Sequence, residues 1–213
     1  MGLLIIIGGF TVLLALFMYG IPHLRRRIRA AEFDRAIARV GFAREFGGEE
    51  ELLEGFRGID IFERARDTRI ANLARGERRG IPVVLFDLEY WDYGFQGGSR
   101  HYIETFAAYR IEKAGLPLIH ACPRTFSAEG LDIEHLDFPE DIEFEKNYLV
   151  SNEKGPVREF FNPVLRRLML RYSSLVVQAR GEWVVVFRND TAVQAGRLKA
   201  FLDKAATIFT AIK

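Results

Sequence analysis

Residues 80–94, GIPVVLFDLEYWDYG, decide what kind of fold this chain adopts. β-Branched and aromatic side chains dominate, and the period is two: Val84, Phe86, Leu88 and Tyr90 fall on one face, Asp87 and Glu89 on the other. That pattern predicts a strand with one apolar face. Gly94, Gly97 and Gly98 mark a turn after it, and RHYIETFAAYRI (100–111) reads as the returning partner. LPLIHACPR (116–124) predicts a third strand bounded by prolines. On the other side, RIANLARG (69–76) predicts a strand turned back onto 81–90 through GERRG.

Toward the C-terminus, EGLDIEHLDFPEDIEFE (129–145) carries eight acidic residues and no Lys or Arg, and interrupts the strands. FEKNYLV (144–150) is a further candidate strand. Asn162-Pro163 supplies an N-cap residue and a proline at the first helical position, with Pro156 opening a short helix just before, so a two-part helix is expected. SLVVQARGEWVVVFRN (174–189) predicts a hairpin about Arg180-Gly181. Leu198, Phe201, Leu202, Ala205, Ile208, Phe209 and Ile212 recur at helical spacing and predict an amphipathic closing helix. Strands, helix, hairpin and helix in this order imply an α+β domain built on an antiparallel sheet. A PH-like or GRAM-like roll, which also ends in a helix on curved strands, is one architecture compatible with it.

Toward the N-terminus, HLRRRIRAAEFDRAIARVGF (23–42) places Leu24, Ile28, Ala31, Phe33, Ile37 and Val40 at helical spacing with arginines between them. This predicts a juxtamembrane helix ending at Gly41. GGEEELLEGF (47–56) predicts a short helix with an acidic first turn, ending at Gly55, while 56–75 reads as either helix or irregular chain. Before them, Leu3 to Ile21 holds no charged side chain. At roughly 1.5 Å per residue such a run spans about 28 Å, close to the hydrocarbon thickness of a bilayer. Tyr19 stands where an aromatic interface anchor would stand. A cleaved signal peptide fits poorly, since residues 1–8 carry no Lys or Arg, and Ile6 stands where a myristoylation signal wants Ser or Thr. Burial in a core is the remaining alternative.

Arg25, Arg26, Arg27 and Arg29 all flank the C-terminal end of that run, which predicts a single pass with the N-terminus outside and residues 24–213 in the cytoplasm. The same arginines suit anionic headgroups, at about 1 kcal/mol each near the surface. The expected organisation is an inner-membrane anchor over 1–23, a juxtamembrane helical segment over 24–58 and an α+β domain over 59–213. One cysteine, Cys122, cannot form an internal disulfide, as suits a reducing compartment, and a formal net charge of +1 gives no bias toward nucleic acid.

RIANLARGERRGIPVVLFDLEYWDYG, HYIETFAAYRI and LPLIHACPR, followed by FEKNYLV, FFNPVLRRLML and VQARGEWVVVFR, resemble a bacterial family of uncharacterised, often membrane-anchored proteins. The resemblance spans about residues 60–210 and rests on hydrophobic and Gly/Pro landmarks. It implies no activity, so no functional residue follows from it.

The motifs of nucleotide binding, zinc hydrolysis, redox dithiols and nucleophile elbows are absent. Ser151-Asn-Glu-Lys154 matches S-x-x-K, but Gly155-Pro156 follows it, as in a polar turn. His120 and Cys122 share one strand face, either as two metal ligands or an activated thiolate, or as a structural Cys beside a satisfied His. Glu89 and Glu104 would stand close to cross-strand if the 94–99 turn is symmetric, a like-charge pair in need of a cation, a proton or water. The alternative is a solvent-facing sheet surface. Tyr90, Trp91, Tyr93 and Phe95 form either an exposed aromatic patch or part of the core. Two functions follow: a membrane-tethered, non-catalytic domain that binds a protein or lipid-headgroup partner without a cofactor, or a hydrolase or metal-dependent enzyme built on Asp87, Glu89, Glu104 and His101.

Overall fold

A computed structural model of the chain describes residues 21–64, 66–93, 99–111, 115–125, 135–151, 157–189 and 191–212. The chain runs through helix α1 (Ile21–Val40), β1 (Ala43–Arg44), α2 (Glu49–Gly55), α3 (Asp60–Arg64), β2 (Arg66–Arg78), β3 (Ile81–Tyr93), β4 (Ser99–Arg110) and β5 (Leu116–Pro123). There follow α4 (Ile142–Asn147), β6 (Tyr148–Val150), α5 (Val157–Phe160), α6 (Pro163–Arg171), β7 (Val176–Gly181), β8 (Trp183–Phe187), a 3₁₀ turn (Ala195–Arg197) and α7 (Leu198–Ile212). The strands form one eight-stranded sheet in the order β1-β2-β3-β4-β8-β7-β5-β6, with every neighbour antiparallel. Among the described residues, β1 and β6 stand at the two ends of this order.

Local chemistry explains most boundaries. β2 turns into β3 through Arg79 and Gly80, both at positive φ (55° and 73°), the backbone that a two-residue hairpin loop requires. Asn162 accepts hydrogen bonds from the Val164 and Leu165 amides, and Pro163 opens α6. α1 stops at Gly41 (φ 76°), where the Phe42 amide reaches back to the Ile37 carbonyl and the Gly41 amide to that of Ala38. The expected strand over 144–150 is only half strand: Asp141 caps the Phe144 amide, so 142–147 coils into α4 and pairing is left to Tyr148–Val150.

Helices cover both sheet faces. On one, α1, α6 and α7 enclose the larger core, including Phe33, Ile37, Leu85, Ala107, Tyr109, Leu165, Val186, Leu202 and Phe209. Tyr109 stacks on Phe209 at 4.7 Å between ring centres, and Arg78 grips both oxygens of Asp203 at 2.8 Å, fixing α7 to the end of β2. On the other, α2 and α3 close over a phenylalanine stack, in which Phe86 and Phe106 lie 5.3 Å apart, and Phe106 and Phe187 4.4 Å.

Residues 1–20, which hold Tyr19 and nearly all of the expected anchor, lie outside the described residues. Among the described residues no helix is long and apolar enough to cross a membrane. The segment over 24–58 packs on the sheet: Phe33, Ala36, Ile37 and Phe42 belong to the larger core, and Leu52 and Phe56 to the smaller. The apolar face expected for α1 is rotated. Leu24 and Ile28 are exposed (58% and 51%), and the line facing the sheet is Arg26, Arg29, Phe33, Ala36 and Ile37.

Candidate functional site

The arginines of α1 meet the carboxylates of β3. Along β3 the alternation sends Val83, Leu85, Asp87 and Glu89 toward α1, and Phe86, Leu88 and Tyr90 toward the phenylalanine stack. Asp87 is fully buried, and Arg29 closes on it with two parallel bonds, Nε to Oδ2 and Nη2 to Oδ1, each 2.8 Å. Thr105 Oγ1 donates to Oδ1 at 2.7 Å and Asn72 Nδ2 to Oδ2 at 3.0 Å. These four donors fill the acceptor sites of one carboxylate.

The surrounding backbone is shaped to deliver them. Thr105 stands opposite Asp87 in the β3–β4 register, and its hydroxyl also accepts from the Val193 amide at 2.9 Å. Asn72 sits at a register shift in β2, where the ladder jumps from Ala71↔Asp87 to Ala74↔Leu85, with φ at 54°. This bulge aims the amide at Asp87, while its oxygen accepts from Arg44 at 3.0 Å. Arg29 is as fully engaged: Nη1 donates to the Val193 carbonyl and Nη2 to Thr105, both at 2.9 Å.

Glu89, one repeat further along, is the half-open version. Arg26 Nε donates to its Oε1 at 2.7 Å, Arg69 Nη2 to Oε2 at 2.6 Å, and His101 Nε2 lies 2.8 Å from Oε1. Burial pushes the Glu89 carboxyl up, but the hydrogen bonds from Arg26 and Arg69 outweigh it and hold the group below the usual carboxylate range. Arg26 and Arg69 remain about half exposed, at 47% and 57%. Trp91 packs over His101 with ring centres 4.9 Å apart.

The four residues of the enzymatic reading are therefore divided. Asp87, Glu89 and His101 share the α1 face. Glu104 pairs in register with Leu88, and Glu89 with Ile103, so Glu104 lies fully buried on the opposite face and the expected Glu89–Glu104 pair does not form. A shift of one residue in the turn separates the expectation from the structure. Asp87 is saturated by its four donors, whereas Glu89 is held below the usual carboxylate range by Arg26 and Arg69. Of the four arginines expected at a membrane interface, Arg26 and Arg29 reach carboxylates of the sheet, whereas Arg25 and Arg27 are exposed.

On the opposite face, His120 Nδ1 lies 3.1 Å from Asp60 Oδ2 and 3.3 Å from Gln178 Nε2. Burial lowers the His120 imidazole, but hydrogen bonds to Asp60 and Cys122 overcome it and raise the group to about 9. Cys122 is a buried free thiol, and Ser151 Oγ accepts from the His120 amide at 3.1 Å. Residues 152–156, with Lys154, lie outside the described residues, as do Phe95 and the Tyr93 side chain. Tyr90 is buried and stacks on Tyr102 at 5.3 Å, and Trp91 is 38% exposed. Among the described residues, no group of three or more His, Cys, Asp or Glu is placed to hold a metal ion. An open depression of about 340 Å³, floored by Leu53 and Phe62 and edged by Glu50, Glu54 and Glu63, lies by α2 and α3 on the face away from Asp87.

No family model matches the chain. No curated protein matches it either. Among solved structures it is similar to the crystal structure of the mycobacterial trehalose monomycolate transport factor A, TtfA, with a TM-score of 0.62 and 15% identity. The match covers 86% of this chain and 94% of that one. At this identity the likeness shows a shared fold alone.

Proposed function

We propose that the chain is a single-pass inner-membrane protein whose cytoplasmic α+β domain binds a protein or lipid-headgroup partner without catalysis. One observation carries the reading: α1, which begins where the apolar run over 3–21 ends, is clamped to the sheet by Arg29 on Asp87 and Arg26 on Glu89. The residues best placed for chemistry serve instead to hold the segment leading out of the anchor. A rigid junction suits a domain that must present a surface at a defined height and orientation to the bilayer. The likeness to a trehalose monomycolate transport factor supports a part in lipid transport as the setting for such a partner.

A phosphatase reporter fused after Lys213, active only outside the cytoplasm, tests the topology. It should be silent on the native chain. Replacing Arg25 and Arg27 with Gln and adding three lysines after Met1 should give it activity, with the clamp left intact. Strong activity on the native chain would refute the cytoplasmic placement.

A further inference from the structure

The clamp sets α1 alongside β3 in opposite directions: Arg29 meets Asp87, Arg26 meets Glu89, and at the far end the Phe42 ring lies directly on Gly76, which pairs with Val83. From Arg26 back to Ile21 the helix advances about 7 Å, and from Glu89 to Trp91 the strand advances by nearly the same amount. Trp91 and its partner His101 are therefore level with Ile21, the residue at which the apolar run passes into α1. Exposed side chains gather at this end. Trp91 is 38% exposed, the half-exposed Arg26 and Arg69 bond Glu89 one strand repeat away, and Leu24, Arg25, Arg27 and Ile28 are exposed along the first turns of α1. The acidic groups here are the exposed Asp67 and the buried Glu89, the latter already bonded to Arg26 and Arg69.

An exposed tryptophan among arginines, level with the end of an apolar run, has the chemistry of a headgroup contact. We propose that this end of the sheet, with Arg69, Trp91 and His101, rests on an anionic bilayer surface beside α1. The domain then touches the membrane at two points, the helix and the sheet end, and is seated rather than tethered. The inference rests on the anchor reading.

Trp91 and Trp183 are the two tryptophans, which makes the test direct. The full-length Trp183→Phe chain, with Trp91 as its sole tryptophan, is reconstituted in vesicles of phosphatidylcholine and phosphatidylglycerol with lipids brominated high on the acyl chain. Trp91 emission should shift to the blue and lose intensity, and the effect should weaken in phosphatidylcholine alone. Trp183 in the Trp91→Phe chain should show neither change. If Trp183→Phe does not fold, the native chain read against Trp91→Phe gives the same difference. A chain that fails to float with the vesicles overturns the anchor reading and this proposal with it. A chain that floats with Trp91 unquenched overturns the seating alone, and equal quenching in the two lipid mixtures overturns its anionic character.

Discussion

One strand, β3, serves two faces built on different physics. On one side Phe86 joins a stack with Phe56, Phe106 and Phe187 under α2 and α3, whereas on the other Asp87 and Glu89, its neighbours along the strand, receive arginines from α1. Aromatic burial is non-directional, worth roughly 25 cal/mol per Å² of apolar surface, and tolerates small displacements. A bidentate guanidinium on a saturated carboxylate tolerates none, because a displaced pair leaves buried charge uncompensated. The aromatic stack adds cohesion without setting a direction, and the arginine–carboxylate pairs fix where α1 lies on the larger core.

A large loss should come from the aromatic side. Phe106→Ala should cost about 3–5 kcal/mol in a denaturant midpoint, since it opens a cavity between Phe86 and Phe187. A loss under about 1 kcal/mol would mean that the stack adds little cohesion. The same mechanism applies to Phe201→Ala and Phe209→Ala in α7, both buried in the larger core.

The aromatic face also holds a titrating group. His120, raised to about 9 from an ordinary value near 6.5, binds its proton more tightly folded than unfolded. Its contribution, on the order of 3 kcal/mol, should be complete below about pH 6.5 and vanish as the pH rises through 9. Asp60→Asn should flatten that alkaline loss. An identical pH profile in the variant would mean that Asp60 does not hold the His120 proton.

On the charged face the half-open member should matter least. Arg26→Gln should cost about 1 kcal/mol or less and grow weaker still in high salt, because Arg26 is about half exposed and Glu89 keeps Arg69 and His101. Glu89 itself, held below the usual carboxylate range, stabilises the fold above an ordinary carboxyl value near 4.3, and that support is lost as the pH falls through its lower folded value.

How far the fold could be read from residues follows the same division. Periodicity and turn chemistry foresaw β3, β4, β5, the β7–β8 hairpin, the Asn162-capped helix and α7, because each answers to local preference. The α1 face was misread because the inward line begins with Arg26 and Arg29 before Phe33, Ala36 and Ile37, and arginines count as outward until their partners are known. Those partners lie 58 and 63 residues away. Asp87 and Glu89 stood out as unusual on a strand, yet their role depended on α1, and Glu104 depended on a register that one residue inverts. Asn72 gave no signal, since its contribution comes from a bulge.

α1 is an integral, clamped part of the sheet domain. The most direct measurement is a double-mutant cycle on Arg29 and Asp87, with Arg29→Met, Asp87→Leu and the pair read by equilibrium denaturation. Each single change should cost about 3–5 kcal/mol by stranding a buried charge, and the double change should recover most of that loss as a favourable coupling. Additive effects, or single changes within error of the native chain, would show that the pair does not hold α1 to the sheet.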